Sequence, residues 1–204
     1  MEQLSPTRTE LLTRKAQIKL AQQGAELLRG KREALVREFL SEIRSFRSER
    51  DEMLRTLSEA AQSLMRSLSV DGREAVSSAA LTARTGLEVE VTEQNIWGTR
   101  VAEVSSDYAV RSPQDRGYSV VGTSARVDET VERFEAAVEL ILKVAPKQQK
   151  LARLADEIRK TSRRVNALEQ RLLPSLNEQV QYIRSVLDQR EREDIFRLKR
   201  IKGR

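Results

Sequence analysis

The chain has 204 residues, of which 33% are charged and only 4% aromatic, and its net charge is +6. It contains no cysteine and no histidine, which excludes disulfides, thiolate metal sites, the commonest zinc ligand and the commonest general base. Its apolar residues are mostly Leu, Val, Ile and Ala, which favours a narrow seam between helices over a thick globular core. We therefore expect an elongated protein with no catalytic residues, no metal and no cofactor.

Positive charge is concentrated at the two ends of the chain. Residues 1–50 carry 11 basic and 7 acidic groups, and residues 190–204 carry 7 basic and 3 acidic groups. Residues 70–127 carry 6 basic and 8 acidic groups, a net charge of −2. If the two ends lie together, they form one basic tip. Residues 1–10 lack the apolar core of a secretory signal, and no apolar run approaches the roughly 20 residues that span a bilayer, so we expect a soluble protein.

The N-terminal segment, residues 1–69, predicts one long helix. Ser5 and Pro6 are typical of a helix start, and Asp71-Gly72 is typical of a helix end. Apolar residues recur between them at steps of three, four or seven, the signature of a stripe with a heptad-like period. The stripe consists of Leu4, Leu11, Ile18, Ala21, Ala25, Leu28, Leu35, Phe39, Ile43, Phe46, Met53, Leu57, Leu64 and Leu68.

Two glycines, Gly24 and Gly30, lie inside this predicted helix. Each costs about 1 kcal/mol of helix stability relative to Ala. Either they allow close approach or bending of the helix, or they are tolerated surface positions.

The C-terminal segment, residues 128–204, predicts a second long helix with a matching stripe. The stripe passes through Leu168 and Leu172, which we expect in the seam, and then shifts phase, as in a stutter. Pro146 and Pro174 lie within the helix, so we expect a break or kink near each. Because neither helix can bury its stripe alone, the two should pair as an antiparallel two-helix coiled coil.

The middle region, residues 70–127, is punctuated by glycines and contains the sole tryptophan, Trp97. It predicts a short helix near residues 73–82 followed by a small β-hairpin. The β-prone runs are residues 87–91, 101–104 and 118–121. The predicted fold is thus mainly α, a helix pair with a small α/β-hairpin insertion.

No stretch of the sequence predicts an active site. Residues 24–32 are the closest approach to a phosphate-binding loop, but five residues separate the glycines where four are needed, and Arg32 stands where Ser or Thr should hold magnesium. The adjacent carboxylate pairs diverge by about 100° on a helix and do not converge on a substrate. These pairs are Asp51-Glu52, Asp128-Glu129, Asp156-Glu157 and Glu193-Asp194.

The basic clusters at residues 163–164 and 190–204 leave three interpretations open. They could be a solvated helix face, an electrostatic contact to an acidic protein surface, or a phosphate-binding surface. Acidic residues interleave the second cluster, and Phe196 is its only aromatic residue. Nucleic-acid binding is therefore the weakest of the three.

Six short stretches, spread in order over nearly the whole chain, resemble one family. They are residues 4–8, 11–12, 31–35, 95–98, 161–169 and 190–202. The sequences TSRRVNALE and REREDIFRLKRIK are the most specific of these. Together they resemble the D subunit of V-type and A-type rotary ATPases.

The resemblance implies a non-catalytic central rotor shaft. Such a shaft couples ATP synthesis or hydrolysis in a ring of A and B subunits to ion transport by a membrane rotor, and binds no nucleotide itself. The implied partners are the A and B subunits, the F subunit and the socket C subunit, called d in eukaryotes, with no nucleic acid and no membrane insertion. The implied location is cytoplasmic, peripheral to the membrane. The alternatives are a generic coiled-coil scaffold and a basic coiled coil that binds nucleic acid or a membrane surface.

The resemblance also suggests two partner surfaces. The predicted ring-facing residues are Arg163, Arg164, Arg190, Arg197 and Lys199. The predicted residues on the side of the F subunit are Val89, Val91, Trp97 and Val104. For Trp97 the competing interpretation is that it anchors the hairpin to the helices.

Overall fold

The computed structural model describes residues 5–82, 89–106, 116–119 and 122–203. Its elements are α1 (Arg8–Val70), α2 (Gly72–Thr82), β1 (Val89–Ile96), β2 (Thr99–Ser106), α3 (Ala125–Ala167), a π-helical turn (Leu168–Leu172) and α4 (Leu173–Lys202). The N-terminal helix packs against the C-terminal helical segment, and a two-stranded hairpin lies between them in sequence. The predicted fold class, mainly α with a helix pair and a small insertion, is confirmed.

The chain divides into two compact units. Unit 1 consists of Met1–Leu35 and Glu157–Arg204, and unit 2 of Val36–Asp156. Unit 1 contains 20 basic and 11 acidic residues, a net charge of +9, whereas unit 2 contains 17 basic and 20 acidic residues, a net charge of −3. The positive charge of the chain therefore belongs to unit 1.

Within unit 1 the two helical segments run antiparallel. Arg8 pairs with Glu191 at 2.6 Å, and nearer the other end of the unit Arg29 pairs with Glu169 at 2.7 Å. Arg190 donates a hydrogen bond to the backbone oxygen of Pro6. The two ends of the chain therefore lie together. The buried residues between the helices come from both apolar stripes: Ala21, Ala25, Leu35, Val165, Leu176 and Ile183.

The π-helical turn accounts for the phase shift of the C-terminal stripe. A π turn holds one extra residue, so every later side chain is rotated on the helix. Leu176 and Ile183 are buried after the turn, whereas Leu172 is 43% exposed. The predicted stutter is confirmed, and the predicted seam position of Leu172 is wrong. Pro174, which lacks a backbone donor, follows at the first turn of α4.

A break or kink was expected near Pro146, and there is no break, since α3 continues through that residue. On either side of it Val144 and Leu151 are buried, and Lys147 pairs with Glu49 of α1. Burial of side chains on both sides of the proline, together with the ion pair to α1 just after it, holds the helix together there despite the lost hydrogen bond.

Charge pairs between the helices have opposite polarity in the two units. In unit 2, acidic residues of α1 pair with basic residues of α3, as in Glu38 and Glu42 with Lys150. In unit 1, basic residues of α1 pair with acidic partners, as in Lys31 with Glu157. Burial disfavours the charged form of Lys150, but hydrogen bonds to Glu38 and Glu42 outweigh it and raise the pKa of its amine. Such pairs specify the register in which the helices align.

The segment before α3 is held to unit 2 by a buried ionic cluster. Arg116 is 3% exposed and lies 3.3 Å from Glu135 and 3.9 Å from Asp128. Tyr118 donates a 2.6 Å hydrogen bond to Asp128, and its burial raises the pKa of the phenol. Tyr118 was predicted to begin a β-prone run, but it and Ser119 are not in a strand. Residues 120–121 of that run, and residues 87–88 of another, lie outside the described residues.

Candidate partner-binding surfaces

The hairpin of unit 2 turns at Trp97 and Gly98. Ile96 pairs with Thr99, so the loop has two residues, and both have positive φ, 52° and 81°. This is the arrangement of a type I′ turn, whose first position favours Asn, Asp or Gly. A bulky residue in that region is strained. Trp97 is nevertheless 60% exposed, so the interpretation that it anchors the hairpin to the helices is wrong.

The predicted valines of the hairpin lie on one face. Val91 stands directly opposite Val104, and Val89 lies two positions along the same face. Val101 points to the other face and is 4% exposed, beside a cavity that α3 also lines. The hairpin therefore packs through the face of Val101, while Val89 and Val91 are exposed on the opposite face. Val104 is half-buried and lines the same cavity as Val101.

The predicted basic residues are all exposed. Arg163 and Arg164 lie near the end of α3, and Arg190, Arg197 and Lys199 lie on α4. Arg190 is bound to the N-terminal segment of the same chain, so part of its donor capacity is used internally. Within the described residues the other four form no ion pair, which leaves their charge available to a partner.

Exposed apolar side chains accompany this charge, and most of them lie outside the predicted stripes, although Leu172, Leu198 and Ile201 belong to the C-terminal stripe. Every residue from 190 to 203 is exposed. The large apolar residues exposed on unit 1 are Leu12, Leu20, Leu27, Leu172, Ile195, Phe196, Leu198 and Ile201. The signal that could have found them is an apolar residue that falls outside the stripe of its helix, as Leu20 and Phe196 do.

The described part of the chain holds no cluster of three or more residues suited to bind a metal ion. Within the same residues, no helix is sufficiently long and apolar to cross a bilayer.

Similarity to known proteins identifies the family. A family model that describes the D subunit of ATP synthase matches residues 10–203. The chain belongs to the ATP synthase D-subunit family. It is 39% identical to the D subunit of the A-type ATP synthase of Methanosarcina mazei over 203 residues, covering 100% of this chain and 97% of that protein. It is 41% identical to the D subunit of the V-type ATP synthase of Thermus thermophilus over 204 residues, covering 100% of this chain and 90% of that protein.

The members of this family are stalk subunits and not catalytic ones, so this chain is a non-catalytic subunit of a V/A-type ATPase. Its two surfaces are therefore candidate contacts with other subunits of the complex.

Proposed function

We propose that this chain is the central rotor shaft of a V/A-type rotary ATPase. It couples ATP synthesis or hydrolysis in a ring of A and B subunits to ion transport by a membrane rotor. The observation that carries this proposal is the combination, in unit 1, of an antiparallel helix pair with a net charge of +9 and exposed basic side chains outside the buried seam.

A shaft must transmit torque while its contacts with the ring break and re-form. The buried stripes supply a stiff pair of helices. Exposed ion pairs contribute only about 0–1 kcal/mol each, so a partner can exchange them one by one. A shaft that prefers different ring conformations at different angles has a coupling free energy with nucleotide occupancy, and by linkage nucleotide occupancy biases the angle of the shaft.

Each of the two surfaces is assigned to different partner subunits. Arg163, Arg164, Arg197 and Lys199 face the ring of A and B subunits. The middle region, residues 70–127, contacts the F subunit and the socket C subunit, while residues 1–69 and 128–204 form the shaft. The complex holds the chain on the cytoplasmic side, peripheral to the membrane.

Reconstitution tests the proposal. The chain, tagged with a bead or fluorophore, is assembled with A, B and F subunits, and rotation is observed under ATP. We expect the chain to co-purify with the nucleotide-binding ring and to rotate in steps of about 120°, because a ring of three A–B pairs whose occupancy biases the shaft angle has three equivalent positions. A ring that hydrolyses ATP while the chain stays stationary or unbound would refute the rotor assignment.

The hairpin face gives a separate prediction. Trp97→Asn places a residue favoured in a type I′ turn at the strained position, so the hairpin should be at least as stable while its exposed aromatic side chain is lost. Because aromatic anchors dominate interface energies, we expect the affinity for the F subunit, measured by calorimetry, to fall at least about tenfold. Glu90→Gln, on the opposite face of β1, is the control and should bind normally. Equal affinity of the two variants would exclude Trp97 from the contact.

A further inference from the structure

An apolar groove opens on the surface of unit 1 at the π-helical turn. It has a volume of 480 Å³, and its apolar lining consists of Leu20, Ala21, Gly24, Leu168, Leu172 and Leu176. The groove lies between α1 and the π-helical turn, inside the unit that carries the positive charge.

The groove arises from two local features. The π turn rotates Leu172 out of the seam, where it is 43% exposed, and Leu20 of α1 is 70% exposed beside it. Gly24 adds no side chain. A Cβ atom built on Gly24 would meet no atom within 4 Å, apart from the neighbouring backbone of its own helix. A mid-helix glycine costs about 1 kcal/mol relative to Ala, and no close approach within the described chain requires it here.

The surroundings of the groove indicate what it binds. Arg14, which pairs with Glu10 on α1, lines the groove itself. Arg164 lies four residues before Leu168 and is exposed, so it lies beside Leu168 on the helix surface. Unit 1 as a whole has a net charge of +9. An apolar seat with a basic border is complementary to an apolar side chain that projects from an acidic protein surface.

We propose that the groove at Gly24 and Leu172 receives an apolar side chain projecting from an acidic face of the catalytic ring. This inference rests on the proposed rotor function. It adds an apolar contact with the ring to the electrostatic contacts of the basic residues. Contacts between exposed charges weaken as salt is added, whereas burial of an apolar side chain does not. The groove therefore accounts for the part of ring binding that persists at high salt.

Gly24→Leu tests the proposal by filling the groove. A Cβ atom at Gly24 meets no neighbouring side chain, and Leu is a stronger helix former than Gly. Gly30→Leu is the matched control, because a Cβ at Gly30 also meets nothing within 4 Å and Gly30 does not line the groove. Both variants should melt at or above the temperature of the unmodified protein.

The measurement is the affinity of each full-length variant for the assembled ring of A and B subunits, at low and at high salt. We expect Gly24→Leu to weaken binding about tenfold at high salt and less at low salt, and Gly30→Leu to leave it unchanged. Leu172→Ser, which removes part of the lining without filling the groove, should weaken binding in the same direction.

Three outcomes would overturn the inference. If Gly24→Leu binds the ring as Gly30→Leu does, the groove is not a seat, and the rotor function stands provided that removal of the basic residues still weakens binding. If the unmodified protein itself does not bind the ring, the rotor proposal fails as well. If sedimentation shows that the isolated protein self-associates and that Gly24→Leu abolishes this, the groove belongs to a second copy of the chain.

Discussion

Replacing Arg163, Arg164, Arg197 and Lys199 together with Gln should uncouple the rotary complex, while any one of the four replacements should lower coupling only modestly. Each exposed pair contributes about 0–1 kcal/mol and is screened by salt, so these contacts act through their sum. Arg190 is left unchanged because it hydrogen-bonds to the backbone of Pro6. We expect the fourfold variant to hydrolyse ATP in the ring with little or no rotation.

The stability of the isolated protein should barely change in this variant. The four side chains lie outside the buried seam, Gln is a good helix former, and surface substitutions of this kind usually change the unfolding free energy by less than about 0.5 kcal/mol. A helical melt monitored by circular dichroism measures this directly.

A variant of unit 2 serves as the charge-matched control. Four exposed basic residues of α1 are replaced with Gln in the same way, namely Arg44, Arg47, Arg50 and Arg55. This control variant loses the same number of positive charges from unit 2, and the complex that contains it should rotate and couple normally. Normal coupling in the unit 1 variant, or an equal loss in both, would show that the basic residues of unit 1 are a passive solvated surface.

Glu135→Gln should lower the unfolding free energy of the protein by about 3 kcal/mol, at the lower end of the roughly 3–5 kcal/mol that breaking a buried ion pair costs. Glu135 and Arg116 are both almost fully buried and lie 3.3 Å apart. Removing one charge leaves the other buried without its partner. Asp128, 3.9 Å from Arg116, offsets part of the loss, which is why we expect the lower value. Urea unfolding of the full chain measures it.

The double variant Arg116→Met with Glu135→Met separates pairing from packing. Replacing a buried ion pair with apolar residues of similar volume is often neutral or stabilising, so the double variant should recover most of the stability lost in Glu135→Gln. If Glu135→Gln unfolds as the unmodified protein does, the buried pair makes no net contribution. If the double variant is the less stable of the two, the hydrogen bonds of the cluster matter more than its charge balance.

Local patterns in the sequence predict much of this fold. The stripe spacing of α1 and of the C-terminal segment depends only on 3.6-residue periodicity, and Asp71-Gly72 marks the end of α1 by its turn chemistry. Period-two alternation likewise places Val89 and Val91 on one face of β1, whereas the pairing register is what sets Val104 opposite Val91. Because the sequence contains no histidine and no cysteine, it excludes a histidine general base and a thiolate metal ligand whatever the fold.

Other features depend on which residues meet across long separations in sequence, and only the tertiary structure decides them. Arg116 appears in the sequence as an ordinary polar residue, yet it is buried because Glu135 stands opposite it. The apolar stripe does not show at which residues the helix forms a π turn, with its one extra residue. In the structure this turn rotates Leu172 outward beside Gly24, and the two residues line a groove. Periodicity is a local property of the helix, whereas burial and the open space beside a residue depend on the partner that packs against it.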